Sequence, residues 1–386
     1  MIVDMTKGSP MKVILRFAIP MFISVLFQQL YSLVDSVIAG QYVGLNALAA
    51  VSVSYPIISL LTAVANGINV GCSVVVSQIF GAKKEKELKS AIFTSMITIF
   101  LTGIILTALG LAICEPVMRL LQTPADIFED SVLYLQIYIA GFAFLYLYNG
   151  ANAIYTALGD SRTPLYFLIF SSLFNIVLDL LFVVAFQMGV AGLALATDLA
   201  MGVSAALALF FLNRKLKGYL VEDRVKFFDK RMFREIVIIS VPSILQASSV
   251  SLGNLLVQGL INSYGSLVVA GSSAGAKLNI LLLSCMSAMG NTLASYSAQN
   301  MGAHSVDRMK RGLIEAAKIT MIMMSVFMLV TFVFAEQCIG CLLYTSKWPQ
   351  RKGPSNCLAK TQVYAKPKGE VYELTPARCW KVKGSA

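Results

Sequence analysis

Long apolar blocks alternate with short polar stretches through residues 14–335. The blocks fall near 14–38, 48–72, 90–112, 132–155, 164–186, 189–212, 236–261, 267–293 and 313–335. Each is close to the ~20 residues that a helix needs to cross a bilayer core, so the pattern predicts about nine spans. The polar stretches differ in sign. Lys7, Lys12 and Arg16 precede the first block, and "GAKKEKELK", "GDSRTP", "NRKLKGYLVEDRVKFFDKRMFRE" and the group Arg308, Lys310 and Arg311 follow every second one. The opposite side holds "GQYVGLN", a loop with Asp126, Glu129 and Asp130, "FQMG" and "INSYGS", where Lys and Arg are nearly absent. The excess of basic residues on one side predicts a cytoplasmic N-terminus.

The chain also repeats itself at a shift of about 221–222 residues. "AIPMFISVLFQQLYSLVDSVIAGQYVG" aligns with "SVPSILQASSVSLGNLLVQGLINSYGS", so that Pro20 matches Pro242. Further on, Gln78, Gly81, Ala82 and Lys89 match Gln299, Gly302, Ala303 and Lys310. One repeat holds six spans, an even number, so both copies start on the same side. Parallel repeats of this kind are a plan of secondary transporters, with the substrate site between the halves. The expected fold is an all-α polytopic membrane protein of two six-helix lobes, the second incomplete. Residues 1–217 form the first lobe, 218–234 a cytoplasmic linker, and 235–340 about three helices of the second. In the linker Phe227, Phe228, Met232 and Phe233 alternate with Asp229, Lys230, Arg231 and Arg234. That pattern suits either an interfacial helix or a solvated charged loop. From Cys341 the composition changes: nine Lys/Arg stand against two Asp/Glu, and both Trp residues appear. Its opening "CLLYTS" looks like translated sequencing adapter, and residues 341–386 are expected to be foreign to the fold, a real extracytoplasmic tail being the alternative.

Composition agrees with a membrane protein: 57% hydrophobic, 13% charged, mean hydropathy +0.74. One His and seven Cys, with no Cys/His cluster, argue against a bound metal cofactor or a disulfide framework. No nucleophile–base pair or His-Glu-x-x-His pattern points to an enzyme. The basic tail is no argument for nucleic acid.

Against this apolar background Asp35 and Asp179 stand out. A carboxylate at the bilayer centre costs about 2.5–3.5 kcal/mol on insertion scales, and such residues usually mark ion pathways. Asn175 lies four residues before Asp179, on the same helix face. No Lys, Arg or His is read at membrane depth to neutralise either acid, so a mobile cation or a proton is the expected partner. Carboxylate, amide and hydroxyl oxygens suit hard cations. The competing reading is two protonated acids that only hydrogen-bond between helices.

The stretches "IPMFISVLFQQLYSLVDSVIAGQYVGLNALAAVSVSYPI", "GAKKEKE" and "IYTALGDSRTPLYF" together resemble the multidrug and toxic compound extrusion (MATE) family. The resemblance covers residues 10–335, roughly nine of that family's twelve helices. It implies two lobes that rock about a central cavity and export organic cations in exchange for sodium ions or protons, in the inner membrane of a bacterium. It places the coupling site on Asp35, Asn175, Asp179 and Thr197, and a coupling bend at Pro20. Asp198 departs from the family pattern and is expected at the lipid headgroups or the outer mouth. Gln28, Tyr31, Asn66, Tyr138, Asn149, Asn152, Gln246 and Asn254 are weaker expectations for the cavity wall, each equally open to interhelical hydrogen bonding. No cofactor is expected beyond the coupling ion. The expected partners are a small organic substrate and membrane lipid, with the protein a monomer. The alternative is a flippase for lipid-linked precursors, disfavoured by the lack of basic residues at membrane depth.

Overall fold

The computed structural model describes residues 3–121, 123, 125–217, 226–263, 266–333, 362–365, 371–374 and 381–382. It divides into Met1–Leu342 and Leu343–Ala386. The described residues of the first unit form helices α1 (Pro10–Ile38), α2 (Leu45–Gly81), α3 (Glu85–Leu120), α4 (Ala125–Ala140), α5 (Phe142–Ala157), α6 (Arg162–Asp179), α7 (Gly189–Lys217), α8 (Lys230–Ser263), α9 (Ser266–Gly302) and α10 (Val306–Val333). In the second unit, β1 (Gln362–Ala365), β2 (Val371–Leu374) and β3 (Lys381–Val382) make an antiparallel sheet in that order. The expectation that residues 341–386 are foreign falls mostly outside the described residues.

Among the described residues, seven helices are long and apolar enough to cross a membrane, and α4 with α5 makes an eighth if that bent pair is one span. With the 37-residue α9, these helices account for all nine apolar blocks. The fourth block departs from a straight span, bending by 47° where α4 meets α5 at Gly141. Two other helices end in wide turns with i→i+5 bonding. α1 runs into a π-turn at Ala39–Val43 and α6 into one at Leu180–Ala185. Such turns are rare and frequently sit at functional sites. Lys277 lies within α9, inside the block read as 267–293. That corrects the statement that no basic residue lies at membrane depth; its side chain is outside the described residues.

The linker forms no separate interfacial helix among its described residues; residues 218–225 are outside them. Asp229 caps α8, its carboxylate accepting from the Arg231 N–H at 2.9 Å, and Lys230 to Arg234 are simply the first turn of that helix. The Asp229 N–H donates to Thr94 Oγ1 at 3.0 Å. Phe227 packs on Phe93 of α3 with ring centroids 5.2 Å apart. Phe228 and Phe233 pack on each other with centroids 5.5 Å apart, and all three rings remain exposed.

The two halves meet at the end that carries the basic loops. There the residues aligned by the repeat touch each other. A Cβ on Gly81 would strike the Gln299 carbonyl, and a Cβ on Gly302 would strike the Gln78 carbonyl. Only a residue without a side chain allows this approach. The turns after α2 and α9 also match: Lys83 and His304 both take left-handed backbone, with φ 58° and 57°. The N-terminal residues seal this seam. Gln299 accepts from the Met5 N–H at 3.2 Å and donates to Ala157 O at 2.8 Å. Asn300 and Arg308 both donate to Met5 O, at 3.2 and 3.1 Å, and the Val3 N–H donates to Gly159 O at 2.9 Å.

α1 belongs to both halves. Its first turns, with Ile14, Phe17 and Ala18, pack with Met289 and Tyr296 of α9 and Ala316 and Ile319 of α10. Its last turn, with Ile38, packs instead with Tyr134 of α4, Val183, and Val190, Leu193 and Ala194 of α7 and its approach. Pro20 is buried within the first attachment, which continues through Met21 and Phe22, and has no N–H to give the helix ladder. The Ser24 hydroxyl donates to the Pro20 carbonyl at 2.9 Å.

Candidate functional site

The acid-bearing part of α1 faces α4, α6 and α7. Tyr31 and Asp35 are four apart on α1, Tyr134 and Tyr138 four apart on α4, and Asn175 and Asp179 four apart on α6, so each pair shares a helix face. Asp35 lies in the last turn before the π-turn of α1, and Asp179 is the last α-helical residue before that of α6. The sequence expectation of a site on Asp35, Asn175, Asp179 and Thr197 therefore concerns residues that the fold brings together.

The carboxyl groups of Asp35 and Asp179 stand within hydrogen-bonding reach of each other. Asp179 is 0% exposed and Asn175 1%. With the amide turned to match donors to acceptors, Asn175 donates to Asp179 Oδ2 at 3.1 Å and accepts from the Thr197 N–H at 3.2 Å. The Thr197 hydroxyl donates to Leu193 O at 3.1 Å and is also reached by the Tyr31 hydroxyl. Asp179 Oδ1 is buried with no hydrogen-bond partner.

Two facing carboxylates with an unpartnered buried oxygen call for positive charge between them. The oxygens are hard donors, and a proton or one monovalent cation suits them. No group of three or more His, Cys, Asp or Glu able to hold a metal ion exists among the described residues. The site does not resemble the many-carboxylate cage of a divalent ion.

Asp198 follows Thr197 on α7 and its carboxylate lies against Gly141, at the α4–α5 bend. Tyr134 and Tyr138 stack beside the acids with centroids 6.0 Å apart. The sequence reading missed Tyr134; its spacing from Tyr138 was the available signal. Of the weaker expectations, Tyr31 and Tyr138 join the cluster. Asn149 and Asn152 lie on α5, half-buried, with Asn152 Oδ1 unpartnered. Gln28 on α1, Asn66 on α2 and Gln246 and Asn254 on α8 are exposed. No hydrogen bond among the described residues ties those four to the acids.

Away from the acids, the loop before α6 is pinned by Asp160. Burial alone would push its carboxyl up, but Lys215 and Thr163 outweigh that and hold it below the usual carboxylate range. Lys215 Nζ is 2.7 Å from Oδ2, and the Thr163 N–H and hydroxyl donate at 3.2 and 2.8 Å.

A helical membrane bundle of two related halves, with a facing pair of acids inside the first, is a build found among secondary transporters. The MatE family pattern matches residues 20–181 and 242–350, and the chain belongs to that family. The second match runs ten residues into the stretch expected to be foreign. The chain is 31% identical over 302 residues to the probable multidrug resistance protein YpnP of Bacillus subtilis, covering 78% of this chain and 67% of that one. It is 28% identical over 346 residues to the probable multidrug resistance protein YoeA of the same organism, covering 88% and 74%. A crystal structure of MATE in complex with MaL6 superposes with a TM-score of 0.82 at 25% identity, over 89% of this chain and 76% of that one.

Proposed function

We propose that the protein is a multidrug exporter that extrudes organic, often cationic, compounds in exchange for sodium ions or protons. It works as a lipid-embedded monomer in a bacterial cell membrane, with the basic seam and the N-terminus cytoplasmic. It performs no covalent chemistry. The observation that carries the reading is the Asp35–Asp179 pair with its unpartnered Asp179 oxygen. The names of the Bacillus relatives support the substrate class.

A magnitude shows that the pair is adequate to the task. Two unit charges 4 Å apart repel by about 4 kcal/mol at an effective dielectric of 20. Loss of the shared ion or proton therefore biases a two-state equilibrium by roughly a thousandfold, from repulsion alone. Both acids sit on helices that end in π-turns, and α1 is attached to both halves. Repulsion at Asp35 thus pulls on a helix that both halves share. Export follows if the substrate is released in the conformation that the charged pair favours.

Asp179→Asn keeps shape and removes the charge. It is expected to reach the membrane and to lower ion-driven efflux of a cationic dye at least tenfold, as is Asp35→Asn. The double variant should be little worse than either, since the two acids act as one unit. Wild-type efflux by Asp179→Asn, normalised to membrane expression, overturns the coupling role.

A further inference from the structure

Thr197 and Asp198 are neighbours on α7, about 100° apart around the helix. They serve different walls of the site. Thr197 faces Asn175 and Tyr31. Asp198 faces the joint between α4 and α5. Its carboxylate occupies the place that a Cβ on Gly141 would take, in contact with all three of its terminal atoms. The Gly141 N–H, which donates to Ile137 O at 3.3 Å, also faces this carboxylate. The helix bends by 47° at this point. Tyr138, one turn before the bend, packs on the same cluster as Val34 and Ile38, which flank Asp35 on α1. It stacks on Tyr134, and Tyr134 packs with Ile38 at the end of α1.

We propose that Asp198 is a positioning residue for the coupling pair: its carboxylate seats the α4–α5 bend on Gly141 and so fixes Tyr138 beside Asp35. This rests on the coupling role proposed above for Asp35 and Asp179. Asp198 supplies shape and an acceptor oxygen to the joint. Gly141 is its required complement, because any side chain at 141 competes for the same space. The bend is therefore set by a two-residue fit between α7 and the joint. The tyrosine wall of the site inherits its position from that fit.

The test uses four variants of the full chain in membrane vesicles, with dye efflux resolved into KM and kcat and thermal melting in detergent. Asp198→Asn preserves shape and acceptor, and is expected to keep kcat and KM within twofold of wild type. Asp198→Ala is expected to lower kcat at least fivefold while leaving KM within twofold. Gly141→Ala should lower both kcat and the melting temperature. Gly141→Ala combined with Asp198→Ala should recover part of each relative to Gly141→Ala alone, since the vacated carboxylate space accepts the methyl group. Two results overturn the proposal: Asp198→Asn as damaging as Asp198→Ala, which makes the charge itself the requirement, or a double variant no better than Gly141→Ala. Failure of the coupling reading is separate, because it shows as normal efflux by Asp179→Asn. The melting comparison of the Gly141 variants is read whether or not that happens.

Discussion

Asp160 shows what one buried charge contributes. Its side chain is 3% exposed and that of Lys215 21%. Removing one partner of a buried ion pair costs about 3–5 kcal/mol, and the partial exposure of Lys215 places Lys215→Met near the lower end. The expected result is a lower melting temperature in detergent with the fold retained. The pH dependence has a definite sign. The folded carboxyl is held below its unfolded value, so its stabilisation is complete above about pH 4 and is lost as pH falls through the lowered folded value. Melting followed from pH 7 down to pH 3 should show this loss in the wild type and much less of it in Asp160→Asn. Residues of this type were legible to different degrees. Asp35 and Asp179 announce themselves as charges in apolar blocks, and Asn175 by its four-residue spacing. Thr197 came from family resemblance alone. The neighbour of Asp198 was not legible, because the sequence does not show where α4 bends, and the bend brings Gly141 against that carboxylate.

Elements were the most legible level, because each span must bury about twenty residues in lipid and the pattern records it. Their interruptions were not legible. The π-turns of α1 and α6 and the bend at Gly141 are changes of backbone hydrogen-bond register, and apolar periodicity carries no trace of register. The linker pattern suited a membrane surface and a solvated loop equally, and it did not show that Phe227 has a ring partner in Phe93. The crossing of α2 and α9 offers a test at this scale. Gly302→Ala puts a methyl group into the Gln78 carbonyl, and Gly81→Ala does the same at Gln299. Overpacking of this kind costs about 1–3 kcal/mol, so each should lower the melting temperature. Gly290→Ala is the control: a Cβ there meets nothing within 4 Å, and the better helix propensity of Ala leaves melting unchanged or slightly raised.

At the scale of the molecule the repeat was the most informative feature. It aligned Gln78 and Gly81 with Gln299 and Gly302, and these are the residues at which the halves touch. Which surfaces of the two copies would meet could not be read, since a repeat gives correspondence and no docking. Orientation has its own test. In a cysteine-free background, Glu129→Cys should react with an impermeant maleimide in intact cells, and Lys86→Cys only after the membrane is opened; labelling of position 86 from outside reverses the topology. The seam has one more consequence, in the order of synthesis. Met5 is among the first residues made, yet its partner Gln299 lies 294 residues further along, an interval of about 15–60 s at ribosomal speeds. Asn300 and Arg308 follow later still. For the last part of that interval, once residue 217 has been made, the N-terminal strap has to wait beside a first half that is already synthesised. The beginning of the chain thus finds its place, and the join between the halves is set, only when α9 and the start of α10 have arrived.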